Sequence, residues 1–223
     1  VILEIRDLSK QYVRGNTAFY AVDHVNLRAD QGEFACIVGH SGSGKSTLFH
    51  MAAGLLRPSG GSVRVNGAEV HRPGRKRTVG PVPFKIGYIM QGQNLLANFT
   101  VLDNVLMPYS LCRKKPALKR SGLELLDYVG LADAADAYPS QLSGGELRRV
   151  AIARTLLLSP DLILADEPTS DLDAENTEKV LELLRSICGG GTAIVASTHD
   201  MEVLKYATVS YRMSKGSLER ISA

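Results

Sequence analysis

Short runs rich in β-branched residues alternate along the chain with segments whose apolar residues recur at three- and four-residue spacing. The first kind marks a strand, the second a helix packed on one face. Strands are predicted at Ile2–Arg6, Val22–Leu27, Phe34–Val38, Ser62–Val65, Ile86–Met90, Leu162–Ala165, Ala193–Ser197 and Thr208–Met213. Helices are predicted at Lys45–Gly54, Val101–Leu111, Pro116–Val129, Gly145–Leu158, Ala174–Ile187 and Met201–Tyr206. Strands and helices that take turns build an α/β sheet protein. One stretch breaks the alternation. From about Gly92 to Leu158, three helical patterns follow one another without a strand, which predicts a helical subdomain, approximately residues 92–158, inserted into a sheet core. The whole chain, 1–223, reads as a single domain around that insertion. Arg57–Gly61 and Arg72–Pro83 are loops on their Pro, Gly and basic content.

Composition narrows the class. At 44% hydrophobic and 22% charged over 223 residues, the chain matches an ordinary globular protein with one sizeable core, and collagen-like, mucin-like and disordered readings fall away. No apolar run reaches the roughly 18 residues of a spanning helix; even Ala151–Ala165 is broken by Arg154 and Asp161. The start, Val1-Ile2-Leu3-Glu4-Ile5-Arg6, alternates like a strand and lacks the pattern of a secretory signal, so a cytoplasmic location is expected. Cys36, Cys112 and Cys188 are odd in number and far apart, which predicts reduced, mostly buried thiols rather than a disulfide framework or zinc site. Lys and Arg exceed Asp and Glu by 26 to 23, a net charge of +3. That is too small to argue for nucleic acid. The local basic clusters, Arg72–Arg77 and Arg113–Lys115 with Lys119 and Arg120, read as solvated loops, with anionic lipid headgroups as the alternative. Neither cluster is interleaved with aromatics that would stack bases, so no nucleic-acid partner is expected.

Two motifs carry chemistry. Gly39-His40-Ser41-Gly42-Ser43-Gly44-Lys45-Ser46 fits G-x-x-x-x-G-K-[ST] and lies between an apolar strand and a helical run. Glycines at 39, 42 and 44 let backbone N–H groups turn onto phosphate oxygens at the positive end of a helix, and bulky side chains would fill that space. Lys45 is then placed for the β- and γ-phosphates and the Ser46 hydroxyl for Mg²⁺, with Ser41 and Thr47 beside the nucleotide. The second motif is Leu162-Ile163-Leu164-Ala165-Asp166-Glu167, an apolar strand ending in two acids. Successive strand residues point to opposite sides, so Asp166 can hold Mg²⁺ while Glu167 acts as base toward an attacking water.

Leu142-Ser143-Gly144-Gly145-Glu146 ends twenty residues before Asp166 and opens the basic helix Leu147–Arg154. This pentapeptide, its helix and the strand ending in Asp166-Glu167-Pro168-Thr169 closely resemble the nucleotide-binding domain of ATP-binding-cassette (ABC) proteins, over essentially the whole chain. The resemblance implies a P-loop NTPase core, a mixed sheet flanked by helices, with an antiparallel β part at the N-terminus and an inserted α-helical subdomain. It also implies ATP and Mg²⁺ as cofactors and ATP hydrolysis as the activity. By the same likeness Tyr12 stacks on adenine, Gln91 joins Ser46 and Asp166 at the metal and links it to the helical subdomain, and His199 is the switch histidine. Asp173 falls on the acidic position of the loop after Glu167. In the family, the Ser143-Gly144-Gly145 segment of one subunit binds the γ-phosphate held by the other, so a head-to-tail dimer around two ATP is implied and a monomer should turn over poorly. One departure stands out: Asp171 places an acid where the family more often has a small or amide residue.

Within the family, a coiled-coil ATPase is excluded because only 97 residues separate Lys45 from Leu142, without heptads, and a two-cassette factor because there is one phosphate loop. A catalytically dead regulator would be expected to lack Glu167 or His199. Asn94-Leu95-Leu96 and Phe99–Val105 resemble the macrolide-exporter and lipoprotein-release subfamily. That likeness implies a cassette either separate from or fused to its membrane part; a separate permease, contacted by the Gln91–Leu111 surface, is expected. The cassette would sit peripherally on the cytoplasmic face of the membrane. Lipoprotein, peptide antibiotic, macrolide and haem are all compatible cargoes. The other reading the motifs allow is a cell-division-type cassette that signals through membrane partners without transport.

Overall fold

The computed structural model describes residues 1–71, 85–92, 94–111 and 118–221, excluding the side chains of residues 110, 111 and 118–120. Cys112 and both basic clusters lie outside that description, apart from the backbone at Lys119 and Arg120. Strands β1 (Leu3–Arg14), β2 (Thr17–Ala29), β4 (Gly60–Val65) and β5 (Ala68–Glu69) form an antiparallel sheet ordered β2-β1-β4-β5. A second sheet is six-stranded, ordered β10-β9-β3-β8-β7-β6. Its members are β3 (Phe34–Val38), β6 (Ile86–Ile89), β7 (Leu162–Asp166), β8 (Ala193–Thr198), β9 (Val209–Ser214) and β10 (Ser217–Ile221). Pairing is parallel from β6 to β9 and antiparallel only at the β9–β10 edge.

Every residue of β3, β7 and β8 is buried, as expected of parallel strands covered on both faces. One face packs with the antiparallel sheet and α1 (Lys45–Ala52), through Ile37, Leu48, Phe49, Leu164 and Val195. Phe34, Ile163 and Ile194, from the same strands, pack with α4 (Gly144–Leu156) and α5 (Ala174–Gly189). α4 also closes a separate apolar cluster with α2 (Val101–Leu111) and α3 (Leu118–Tyr128), around Val105, Leu126 and Val150. The buried Cys36 thiol is pushed up to about 12 by desolvation, and Cys188 is buried as well.

Several elements differ from the sequence reading. β1 and β2 run well past Ile2–Arg6 and Val22–Leu27 into an exposed hairpin with register shifts after Ile5 and Leu8. Bulges of this kind break the period-two pattern by which strands are recognised. The edge strand β10 is mostly exposed and so carries no apolar signature. Met201–Tyr206 winds as a 3₁₀ rather than an α-helix.

The loop from Leu96 to Thr100 is fastened by one residue. Asn104, fully buried on α2, accepts from the Leu96 N–H at 2.7 Å and donates Nδ2 to the carbonyls of Leu96, Phe99 and Thr100 at 3.1, 3.2 and 2.9 Å. Asn104→Ala should lower stability by about 2–4 kcal/mol, because several backbone groups lose their partner together. A urea midpoint matching the parent's would contradict that bridging role.

Candidate active site

The loop from Gly39 to Gly44 leaves β3 and enters α1, whose N-cap is Gly44 at φ +111°. A Cβ there would collide with the Ala21 carbonyl oxygen, and one at Gly39 with the Met213 carbonyl oxygen. Glycine is needed here for space, and at Gly44 for backbone angle as well. Above the loop opens a cleft of about 590 Å³, lined by Ala21, His40, Ser41, Gly42, Gly44, Lys45, Ser46, Thr47, Gln91, Glu167 and His199. Its floor is a helix N-terminus, where N–H groups and the helix dipole favour an anion.

Lys45 is the buried cation of this cleft. Its Nζ donates to the Gly39 and His40 carbonyls at 2.6 and 3.1 Å and lies 3.6 Å from Glu167 Oε1. The other carboxylate oxygen, Oε2, accepts from Gln91 Nε2 at 3.2 Å and lies 3.4 Å from His199 Nδ1. Residues far apart in sequence thus converge on one carboxylate, each projecting from the carboxyl end of a parallel strand or the loop after it. That end of an open α/β sheet is where ligands bind. Glu167 holds a positive φ of +48°, rare for a residue with a side chain, and Asp166 lies buried beneath it at the end of β7. Tyr88, on neighbouring β6, has its phenol pushed above the usual range by burial and next by the negative charge of Asp166.

Ser143, Gly144 and Gly145 are absent from the lining of this cleft. Ser143 instead caps α4: its backbone N–H and Oγ donate to Glu146 Oε2 at 2.8 and 2.7 Å, and the Glu146 N–H donates back to Oγ at 3.3 Å. This reciprocal box satisfies free helix-end donors and holds the Glu146 carboxyl below its ordinary range. A Cβ on Gly145 would strike the Asn176 side chain, itself tied to Asp173, the N-cap of α5. Two arginines of α4, buried Arg148 and half-buried Arg154, hold the Gln91 segment at both ends, Arg148 on the Met90 carbonyl at 2.9 Å and Arg154 on the Asn94 carbonyl at 2.8 Å. Asp171 and Arg148 line the same small cavity, where the acid's charge opposes the desolvation of the guanidinium.

Tyr12 sits on β1 outside the cleft lining, its ring 5.9 Å from that of Phe19 and 5.3 Å from the Nζ of Lys10 on the same strand. The sequence singled out none of Ala21, His40, Arg148 or Ser197 for the site. Ala21 and Ser197 carry no motif signal, since each enters through strand packing. Arg148 was visible only as part of a basic helix.

As a metal site the cleft lining offers the Ser46 hydroxyl and the Gln91 amide, and the Asp166 carboxylate lies buried next to Glu167 at the end of β7, outside that lining. These can all bind through oxygen, and among the described residues no cluster of three or more His, Cys, Asp or Glu side chains is gathered for a metal. Such a set suits Mg²⁺, which takes one or two protein oxygens and fills its shell with phosphate and water. Among the described residues no helix is long and apolar enough to cross a membrane.

Comparison with known proteins agrees with this geometry. The family model described as ABC transporter matches residues 22–170. An uncharacterized ABC transporter ATP-binding protein of Thermotoga maritima is 41% identical over 222 residues, 99% of this chain and 94% of that protein. The lipoprotein-releasing system ATP-binding protein LolD of Colwellia psychrerythraea is 38% identical over 223 residues, 99% of this chain and 86% of that one. The solved dimer of the ATP-binding cassette MJ0796 in a post-hydrolysis state with ADP and Pi is 32% identical, with a TM-score of 0.85 and full coverage of both chains. The chain belongs to the ABC transporter family, as one of its ATP-hydrolysing cassettes.

Proposed function

We propose that this cassette works as a head-to-tail dimer around two ATP and drives a separate membrane permease that extracts or exports a lipid-anchored substrate. One observation carries the dimer: Lys45, Gln91, Glu167 and His199 share a cleft, whereas Ser143, Gly144 and Gly145 lie outside its lining. A second copy can bring its capped helix N-terminus, a ready anion site, over the nucleotide. In this reading residues 92–158 are the inserted subdomain and Tyr12 is the adenine platform. Ser46, Asp166 and Gln91 hold Mg²⁺, which when bound neutralises the phosphate charge. Lys45 grips the β- and γ-phosphates, Glu167 takes the proton of the attacking water, and His199 and Gln91 orient Glu167.

The relative named as a lipoprotein-releasing ATP-binding protein supports the lipoprotein choice over macrolide, peptide or haem. For the permease surface, Leu95 packs partly into the helical cluster, whereas Leu96 and Phe99 are exposed. Phe99→Asp is therefore the substitution that spares the fold. The full chain purified from its own cells in mild detergent should bring down a membrane permease and hydrolyse ATP faster when a lipid-anchored protein is added. Phe99→Asp should weaken that association at least tenfold with nucleotide binding intact. Absence of stimulation by a lipid-anchored substrate overturns the cargo, and full association by Phe99→Asp overturns the surface.

A further inference from the structure

β7 and β8 are parallel neighbours in which Asp166 is directly opposite Ser197. Ser197 is fully buried. Its Oγ donates to Asp166 Oδ1 at 2.6 Å and accepts from the Glu167 N–H at 2.9 Å. The direction of both bonds is fixed by chemistry. A backbone N–H can only donate, so the hydroxyl must accept there, and its single hydrogen is left for the carboxylate. One oxygen of Asp166 is thereby occupied and the plane of the carboxylate set.

We propose that Ser197 is a positioning residue for both acids at the end of β7, aiming the free oxygen of Asp166 at the divalent cation and fastening the turn from which Glu167 enters the cleft. The inference rests on the reading of Asp166 as a metal ligand. The second bond matters because Glu167 leaves the strand at φ +48°, a conformation that persists only where its surroundings hold it. A single hydroxyl then links the metal ligand to the base. When a cation draws on Asp166, the same link bears on the backbone that carries Glu167.

The test uses the full chain with saturating ADP, titrated with Mn²⁺ while free Mn²⁺ is read by electron paramagnetic resonance. Partners that orient a metal ligand typically affect metal affinity on the order of 10- to 100-fold, so Ser197→Ala should weaken Mn²⁺ binding by that factor. ADP affinity in EDTA should stay at the parent value, and Ser197→Thr, which restores the hydroxyl, should recover most of the loss. A structural role alone would lower nucleotide affinity with and without metal together, and that result would overturn the proposal. So would parent-like Mn²⁺ binding by Ser197→Ala. If the threonine methyl lowers the melting temperature, the alanine comparison decides alone. Asp166→Asn is measured alongside. Should it bind Mn²⁺ as the parent does, Asp166 is not a ligand, and the metal reading falls together with the role of Ser197. Loss in Asp166→Asn without loss in Ser197→Ala overturns the Ser197 proposal only.

Discussion

Glu167→Gln should cut ATP turnover by about 10²–10⁴, the range associated with removal of a positioned general base, while ATP binding survives. Glutamine keeps the length and shape of the side chain and can still meet Gln91, 3.2 Å from Oε2 in the parent. What disappears is the negative charge between Lys45 Nζ at 3.6 Å and His199 Nδ1 at 3.4 Å, and with it the capacity to take a proton from water. Binding without cleavage leaves the closed state with no exit, so an ATP-bound dimer should accumulate in the presence of Mg²⁺. Light scattering after size exclusion reads the dimer, and single-turnover phosphate release reads the chemistry. Turnover near the parent rate would place the base elsewhere, with His199 the nearest candidate. A monomer under saturating ATP would instead remove the dimer from the proposal.

Lys45→Ala should cost most of the nucleotide affinity, by roughly 2–5 kcal/mol as for truncating one member of a buried charge pair. Lys45 is 5% exposed, its ammonium held by the loop that folds around it. Its present partners, the Gly39 and His40 carbonyls and Glu167, are weaker matches for a cation than phosphate oxygens are, so nucleotide binding gains from the exchange. The alanine variant also strips Glu167 of its cation, so a control for folding is needed. Circular dichroism should match the parent, and Lys45→Met, which keeps the aliphatic stem in its buried slot, should lose affinity to a similar degree. A fluorescent nucleotide titration gives both numbers. Parent-like affinity in both variants would detach Lys45 from the phosphates.

The site divides according to how local its signals are. The phosphate loop was readable because one hexad of spacing forces its own geometry: a glycine where Ala21 and Met213 leave no room for Cβ, then a lysine and a serine opening a helix. The pairing of Asp166 with Glu167 was readable because an apolar strand that ends in two acids must place them at its carboxyl edge. Gln91 and His199 were legible through likeness to a family, not through any property of the residues alone. Their convergence on one carboxylate depends on β6, β7 and β8 being neighbours in a sheet whose order differs from the chain order.

Alternation of strand and helix, the buried parallel strands and the two motifs of the cleft are legible in the residues alone, since period, hydrophobicity and turn chemistry act over a few residues. The exposed length of the β1–β2 hairpin, the edge strand β10, the grip of Arg148 and Arg154 on the Gln91 segment, and the bond from Ser197 to Asp166 emerge in the folded chain alone. Each of these depends on a register or on a contact between distant segments. A serine in a buried strand has the same local pattern whether its neighbour is an alanine or an aspartate, and the pairing of β7 with β8 alone distinguishes the two.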